Sequence, residues 1–380
     1  MSLAGARTKP ARTAQPTGPW PHRHLLELRG MPPEHLRTVL ALARDYAKLL
    51  EKDSAVGSMD ELAPIEIPGM DLSCRGKVVA NLFFEDSTRT RLSFSVAARR
   101  LGAEVLDLTG VGSSVSKGET VGDTAATVVA MGVDAVVVRH RSSGAAHLVA
   151  RTLEGDAAVS NLPGAEKKHT PGPRGHVCSV INAGDGRHEH PTQGLLDILT
   201  LAEVFDRWGT FDLSGLTVAI VGDVASSRVA RSDIAGMTAL GARVICVGPP
   251  ALVPTSLTTL GCEVSHDLDA ILGEIDAVNV LRIQFERHEV KNAQAAENAP
   301  KATSSNVIAS VREYAELFGI TSDRLARMKP QAVVMHPGPM NRGVELTPDV
   351  ADSNRSMVLR QVTHGVAVRM AVLRLCLAGR

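Results

Sequence analysis

The 380-residue chain has no surplus of charge, since 41 lysines and arginines stand against 41 aspartates and glutamates. A balanced chain offers no global field to recruit nucleic acid or an anionic membrane, so neither is expected as a partner and any anion site must be local. No apolar run approaches the roughly 20 residues that cross a bilayer. The five cysteines (Cys74, Cys178, Cys246, Cys262, Cys376) are odd in number and far apart, which excludes a disulfide framework and predicts reduced thiols in the cytoplasm. Metal signatures are missing too: there is no HExxH, no CxxC and no clustered His–carboxylate set. His188 and His190 come nearest to a metal pair, and no metal or cofactor is expected. The stretch LTVAIVGDVASSRVA looks like the opening of a dinucleotide-binding fold, but Asp223, Val224 and Ala225 follow Gly222 where G-x-G-x-x-G would be needed, which argues against an NAD-dependent dehydrogenase.

What is present is a repeated alternation. Apolar runs at 77–84, 103–110, 134–140 and 176–184 read as strands, separated by helical stretches such as RLSFSVAARRLG and TVGDTAATVVAMG. After the helix HPTQGLLDILTLAEVFDRWG (190–209) a second series follows, with strands at 216–223, 242–249, 277–282 and 331–338. Strand, helix, strand in repetition predicts an α/β protein of two doubly wound parallel-sheet domains, and the length suits two cores. The expected division is a disordered tail over 1–23, a first domain over 24–205, a second over 206–354, and a terminal helix over 355–380 packing back on the first. The tail carries Arg7, Lys9 and Arg12 without an acidic residue, but Pro10, Pro16 and Pro19 oppose the amphipathic helix of a transit peptide. From His24 the pattern turns helical through Asp53, with Pro32 and Pro33 at a helix start. Segments 163–175 and 290–306 look like surface insertions.

The polar clusters fall just after predicted strands, the edge where α/β proteins bind ligands. FFEDSTRTR (83–91) ends a strand and starts a helix at Ser87. Such a junction gathers free backbone N–H groups, a positive helix end and hydroxyl donors, and Arg89 adds a planar fork for phosphate. The other clusters are SSVSKGET (113–120), VRHRSSG (138–144), NAGDGRHEHPTQ (182–193), SSRVARS (226–232), LRIQFER (281–287) and HPGPMNRGVEL (336–346).

STRTR, HPTQ at 190–193, R-x-Q at 282–284 and HPGP-x-NRGVE at 336–345 together resemble the transcarbamoylase family over residues 24 to 377. STRTR with HPTQ marks the family as a whole, while LRIQ-x-ER and HPGP-x-NRG resemble its aspartate-specific members. An ornithine-specific member would carry HCLP where His336, Pro337, Gly338 and Pro339 stand. The resemblance implies transfer of the carbamoyl group of carbamoyl phosphate to L-aspartate, an early step of pyrimidine synthesis, with the active site in the cleft between the two domains. It assigns Ser87, Thr88, Arg89 and Thr90 to the phosphate, and Thr90, Arg139 and His190 to the carbonyl oxygen. Gln193, with the backbone carbonyls of Gly338 and Pro339, would hold the carbamoyl NH₂, and Arg228, Arg282 and Gln284 the aspartate carboxylates. Arg231 and Arg287 are expected to be solvated or paired with Glu85 on closure. Lys117, with Ser113, would reach the site of a neighbouring chain, which implies a homotrimer with shared sites. Assembly with dihydroorotase or a regulatory chain would mark surfaces that the sequence does not assign. A non-catalytic chain of the same fold would be expected to have lost STRTR, HPTQ or R-x-Q, and all are intact.

Overall fold

The computed structural model describes residues 20–55, 72–109, 119–155, 178–283 and 310–378. Within them lie two wholly parallel sheets. The first contains β1 (Val78–Phe83), β2 (Glu104–Thr109), β3 (Ala135–His140) and β4 (Ser179–Asp185), in the order β2-β1-β3-β4. The second contains β5 (Thr217–Val221), β6 (Arg243–Val247), β7 (Glu263–Ser265), β8 (Ala277–Val280) and β9 (Val333–Met335), in the order β7-β6-β5-β8-β9. The central strands are near-continuous apolar runs, buried on both faces, as parallel strands between helical layers must be.

The topology places the site. In the first sheet the chain order reverses between β1 and β3, and in the second between β5 and β8. A crevice opens at each such switch point, outside the carboxyl ends of the strands. The loops leaving β1 and β3 face those leaving β5 and β8 across one cleft.

Helices α1 (Pro33–Ala55), α2 (Thr88–Arg100), α3 (Val121–Ala130), α4 (Ala145–Leu153) and α5 (Pro191–Val204) belong to the first half of the chain. Helices α6 (Arg228–Ala239), α7 (Val311–Phe318), α8 (Ser322–Arg327), α9 (Pro348–Ala351) and α10 (Val358–Ala378) follow. The terminal helix α10 lies against α1, α2 and α5, and α5 also packs on α6. One apolar core therefore runs through both sheets.

Three expectations are corrected. The helix anticipated from His24 begins only at Pro33. Gly30 is left-handed (φ 76°) and the residue before a proline disfavours the helical region, so the preceding stretch runs along β4 instead. There Leu25 N–H donates to Val180 (2.9 Å), and Leu28 and Arg29 donate to the Glu189 carboxylate (2.7 and 3.1 Å). The helix expected to reach Gly209 stops at Val204, and Asp206 turns left-handed (φ 52°). The short strand β7 carries too few residues to show a period and was not anticipated. The N-terminal tail through residue 19 and both insertion segments lie outside the described residues.

Both sheets use the same device to start their central strand. Asp134, before β3, accepts from the Val78 N–H of β1 and from Lys77 Nζ, each at 2.9 Å. Asp276, before β8, accepts from the Thr217 N–H of β5 (2.9 Å) and from Lys329 Nζ (2.7 Å). Without Asp276 the buried Thr217 N–H loses its acceptor. Asp276→Ala is expected to lower the unfolding free energy by about 1–3 kcal/mol in urea titrations. Lys329→Ala, which removes a half-exposed partner, should cost under about 1 kcal/mol. Equal losses would move the weight from the backbone bond to the ion pair.

Candidate active site

Three helix N-termini meet at the cleft, those of α2, α5 and α6. Ser87 occupies the N-cap of α2 in extended conformation, yet its side chain makes no capping bond. The same is true of His190 at the head of α5. Cap groups left uncommitted at a positive helix end are available to an anion. Ser227, by contrast, closes α6 by accepting from Ala230 N–H at 3.1 Å.

The cleft encloses about 610 Å³. Ser87, Thr88, Arg89, Thr90, Arg139, His190, Gln193, Arg228, Arg282, Gly338 and Pro339 all line it. These residues come from widely separated stretches of sequence and from both sheets, so their convergence is a property of the fold. Ser113, Lys117, Gln284 and Arg287 lie outside the described residues.

Guanidinium groups dominate the walls. Among the described residues Glu85 joins two of them: Arg228 Nη2 donates to both its oxygens (2.5 and 2.8 Å), and Arg139 Nη2 donates to Oε1 (3.2 Å). The expected alternative partner Arg231 does not take part. Its Nη2 reaches the Ala225 carbonyl at 3.5 Å, because α6 turns Arg228, three residues earlier, toward the cleft. Room for the arrangement comes from Gly184 (φ 111°), where a Cβ would stand 2.9 Å from Arg139 Nη1 and 3.0 Å from Arg228 Cδ. Gly338 has the same function on the far wall, where a Cβ would overlap Arg89 Nη1.

Among the described residues, Arg89 has no hydrogen-bond or ion-pair partner; it is exposed in the cleft, and partial desolvation lowers its pKa. A second such group, Arg369 of α10, was not anticipated. It is 4% exposed, lines the cleft, stacks its guanidinium 5.1 Å from the Phe94 ring centroid, and has no hydrogen-bonding partner among the described residues. Burial, then Arg139, brings its pKa down to about 9. The available signal was a lone arginine in the apolar run VAVRMAVL, beside Gly365, whose missing side chain leaves space for Arg369 Nη1. Arg369 is a buried cation with no ion-pair partner among the described residues, which is costly unless an anion arrives, whereas Arg89 is exposed in the open cleft.

His190 is buried, and its Nδ1 has no partner among the described residues. Burial, followed by the charges of Arg139, Arg369 and Arg228, holds its pKa well below the usual histidine range, so the imidazole is neutral near pH 7. Gln193 donates its Nε2 to Asp197 (3.1 and 3.3 Å), leaving Oε1 as an acceptor. His188 does not pair with His190. Its Nδ1 faces Asp185 (3.0 Å) and its Nε2 faces Glu27 (3.1 Å), and the Asp185 hydrogen bond raises its pKa to about 9. His147, Asp185 and His188 do bring ligand atoms within 4.8 Å of one another, as do Glu27, His188 and Glu189, but an imidazolium bonded through both nitrogens has no lone pair for a metal.

The cleft thus presents uncommitted donors and positive charge at the head of α2 and further guanidinium groups opposite, among the described residues. Comparison with known proteins gives the family. Residues 23–203 match the family model for the aspartate/ornithine carbamoyltransferase carbamoyl-P binding domain, and residues 214–376 that for the Asp/Orn binding domain. The aspartate carbamoyltransferase catalytic subunit of Myxococcus xanthus is 54% identical over 304 residues, covering 80% of this chain and 88% of the relative. That of Thermobifida fusca is 46% identical over 347 residues, covering 91% and 96%. Among solved structures, aspartate transcarbamoylase from Trypanosoma cruzi in complex with carbamoyl phosphate and aspartate superimposes with a TM-score of 0.69 at 27% identity, over 93% of this chain and 97% of that one. Ornithine carbamoyltransferase from Pyrococcus furiosus gives 0.71 at 25% identity, over 96% and 100%. With both domain models matched in order across most of its length, the chain belongs to the aspartate/ornithine carbamoyltransferase family.

Proposed function

We propose that the chain is an aspartate carbamoyltransferase, joining carbamoyl phosphate to L-aspartate to give N-carbamoyl-L-aspartate and phosphate. The observation that carries this reading is the cleft itself. A phosphate cradle with Arg89, uncommitted among the described residues, on one side faces Arg228 and Arg282 on the other, in a chain about half identical to proteins of that name. Ornithine, with a cationic side chain, would be repelled where aspartate offers a second carboxylate.

The chemistry needs no enzyme nucleophile. The aspartate amine attacks the carbamoyl carbon, the bond from that carbon to the phosphate oxygen breaks, and the proton lost by the amine is taken up by the departing phosphate. Negative charge grows on the carbonyl oxygen and then on the departing phosphate. Fixed donors facing those oxygens lower the barrier most. Ser87, Thr88, Arg89 and Thr90 would receive the phosphate, with Arg369 deepening the positive field. Arg139, Thr90 and a neutral His190 would face the carbonyl oxygen. Gln193 Oε1 and the carbonyls of Gly338 and Pro339 would accept from the carbamoyl NH₂. The Glu85–Arg228 contact joins the two sides of the cleft and would keep water out once both substrates are held. No described helix is long and apolar enough to cross a membrane, and a cytoplasmic enzyme of pyrimidine synthesis is the reading that suits the free cysteines.

A colorimetric assay for carbamoyl-aspartate, run with aspartate and ornithine in parallel, tests the activity; product from ornithine alone would overturn the substrate assignment. Arg89→Ala should lower kcat by about a hundredfold or more with an unchanged melting temperature, since it removes charge facing the leaving phosphate. Retention of most of the turnover would take Arg89 out of the catalytic set. Arg282→Ala should raise KM for aspartate much more than KM for carbamoyl phosphate, and equal rises would make it a structural residue.

The remaining part of the reading is a homotrimer in which Ser113 and Lys117 serve a neighbour's cleft. Lys117→Ala and Arg89→Ala subunits, each nearly inactive, should recover roughly a quarter of wild-type activity when dissociated, mixed and reassembled, because that fraction of sites in a cyclic assembly carries neither change. A mixture that stays inactive despite verified subunit exchange would place Lys117 in its own chain.

A further inference from the structure

Behind Gln193, away from the substrates, lies a buried polar cluster that the reaction as described does not use. Asp197, one turn along α5, accepts from Gln193 Nε2 and from Gln361 Nε2 of α10, the latter at 2.6 Å. Gln361 Oε1 in turn accepts the His336 N–H at 2.9 Å, at the start of the loop carrying Gly338 and Pro339. Asn279 of β8 donates one amide group to Asp197 (3.2 Å) and to Asp233 of α6 (2.7 Å). Asp197, Asp233 and Asn279 are wholly inaccessible.

No lysine, arginine or histidine lies in ion-pair range of either acid among the described residues. Beyond that range the charge of Arg369 acts on Asp197, and Glu189 adds a further negative charge acting on Asp233, so two adjacent buried carboxylates without a paired cation do not both ionise in such a place. Asp233 Oδ1 faces no donor, as suits a carboxyl that carries the proton itself. Asp197 receives donors on both oxygens, as suits the ionised partner.

We propose that Asp197 and Asp233 share one proton, carried by Asp233, and that ionised Asp197 is the positioning residue that turns the Gln193 amide oxygen into the cleft. An amide side chain has two faces of opposite character, and nothing in Gln193 alone chooses between them. A carboxylate behind it accepts only, so the NH₂ must point back and the oxygen forward. The same acceptor fixes Gln361 in the orientation that holds the 336–339 loop. Burial raises both acids in the same sense, Asp197 to about 6 and Asp233 well above the usual carboxylate range. The inference rests on the carbamoyl-transfer reading only in naming what Gln193 receives.

The test compares two conservative variants. In Asp197→Asn the new amide offers a donor to Gln193, which is free to rotate and present NH₂ to the NH₂ of the substrate. KM for carbamoyl phosphate should rise about tenfold or more. The inhibition constant of acetyl phosphate, which has a methyl group in place of that NH₂, should change by less than about threefold. Asp233→Asn still offers a donor to Asp197 and should keep KM within about threefold of wild type. Infrared spectra give a readout independent of catalysis: wild type at neutral pH should show a protonated buried carboxyl band that disappears in Asp233→Asn. Parallel rises for both phosphates in Asp197→Asn, equal damage from the two variants, or no such band in wild type would each overturn the proposal. A wild type that forms no carbamoyl-aspartate would instead strike the functional reading, and the infrared band would still decide the shared proton.

Discussion

One carboxylate holds the two sides of the cleft in register. Glu85 leaves the first sheet at the end of β1 and accepts from Arg139 at the end of β3 and from Arg228 at the head of α6. Arg139 and Arg228 are constrained from behind as well, through bonds to the Ala183 and His140 carbonyls (3.0 and 3.5 Å) and through the space left by Gly184. Several of the cleft's guanidinium positions thus follow from one partly buried acid and one glycine. An Arg–Glu–Arg set costs desolvation energy that a hydrophobic patch would not, and its return is a defined geometry between parts that share no strand.

Around that anchor the electrostatics are lopsided. A chain with no net charge gathers Arg89, Arg139, Arg228, Arg282 and Arg369 on one surface, against Glu85, Asp86 and Asp223. The excess is local, and it is kept by burial and by the helix ends. Helix N-termini add partial positive charge at no cost in titratable groups. His190 responds by staying neutral, which makes it a hydrogen-bonding group and removes it as a further cation.

The fold was largely legible because parallel strands buried on both faces write themselves as apolar runs. Val78–Phe83 and Thr217–Val221 could not be mistaken for half-exposed strands. The stretch before Pro33 has Leu25, Leu28 and Met31 at helical spacing, but Leu25 bridges to β4 and the Leu28 N–H meets Glu189, a pairing about 160 residues away that the pattern does not show. The site residues were legible where polar clusters interrupt the pattern at strand ends. Arg369 was not, because it sits inside an apolar helix whose pattern it only dents, and its role depends on Phe94 and Gly365 making a place for it. Glu85 was visible as a residue, but its choice of Arg228 over Arg231 is set by the rotation of α6.

The same distinction separates groups that touch a substrate from groups that orient them. Residues of the proposed phosphate cradle such as Ser87, Thr88 and Arg89 follow one another in sequence, because a helix start delivers neighbouring side chains and N–H groups to one point. Orienting residues have no such constraint. Asp197, Asp233, Asn279 and Gln361 come from α5, α6, β8 and α10, and only the packing of α10 against α5 and of α5 against α6 makes them adjacent. A buried polar cluster of this kind stabilises only when every donor has an acceptor, so its members limit one another's protonation as well as their positions. The carboxyl pair behind Gln193 therefore couples the direction of one amide to the seating of two helices and a loop, which is a reason for keeping charge in a core that would pack more stably without it.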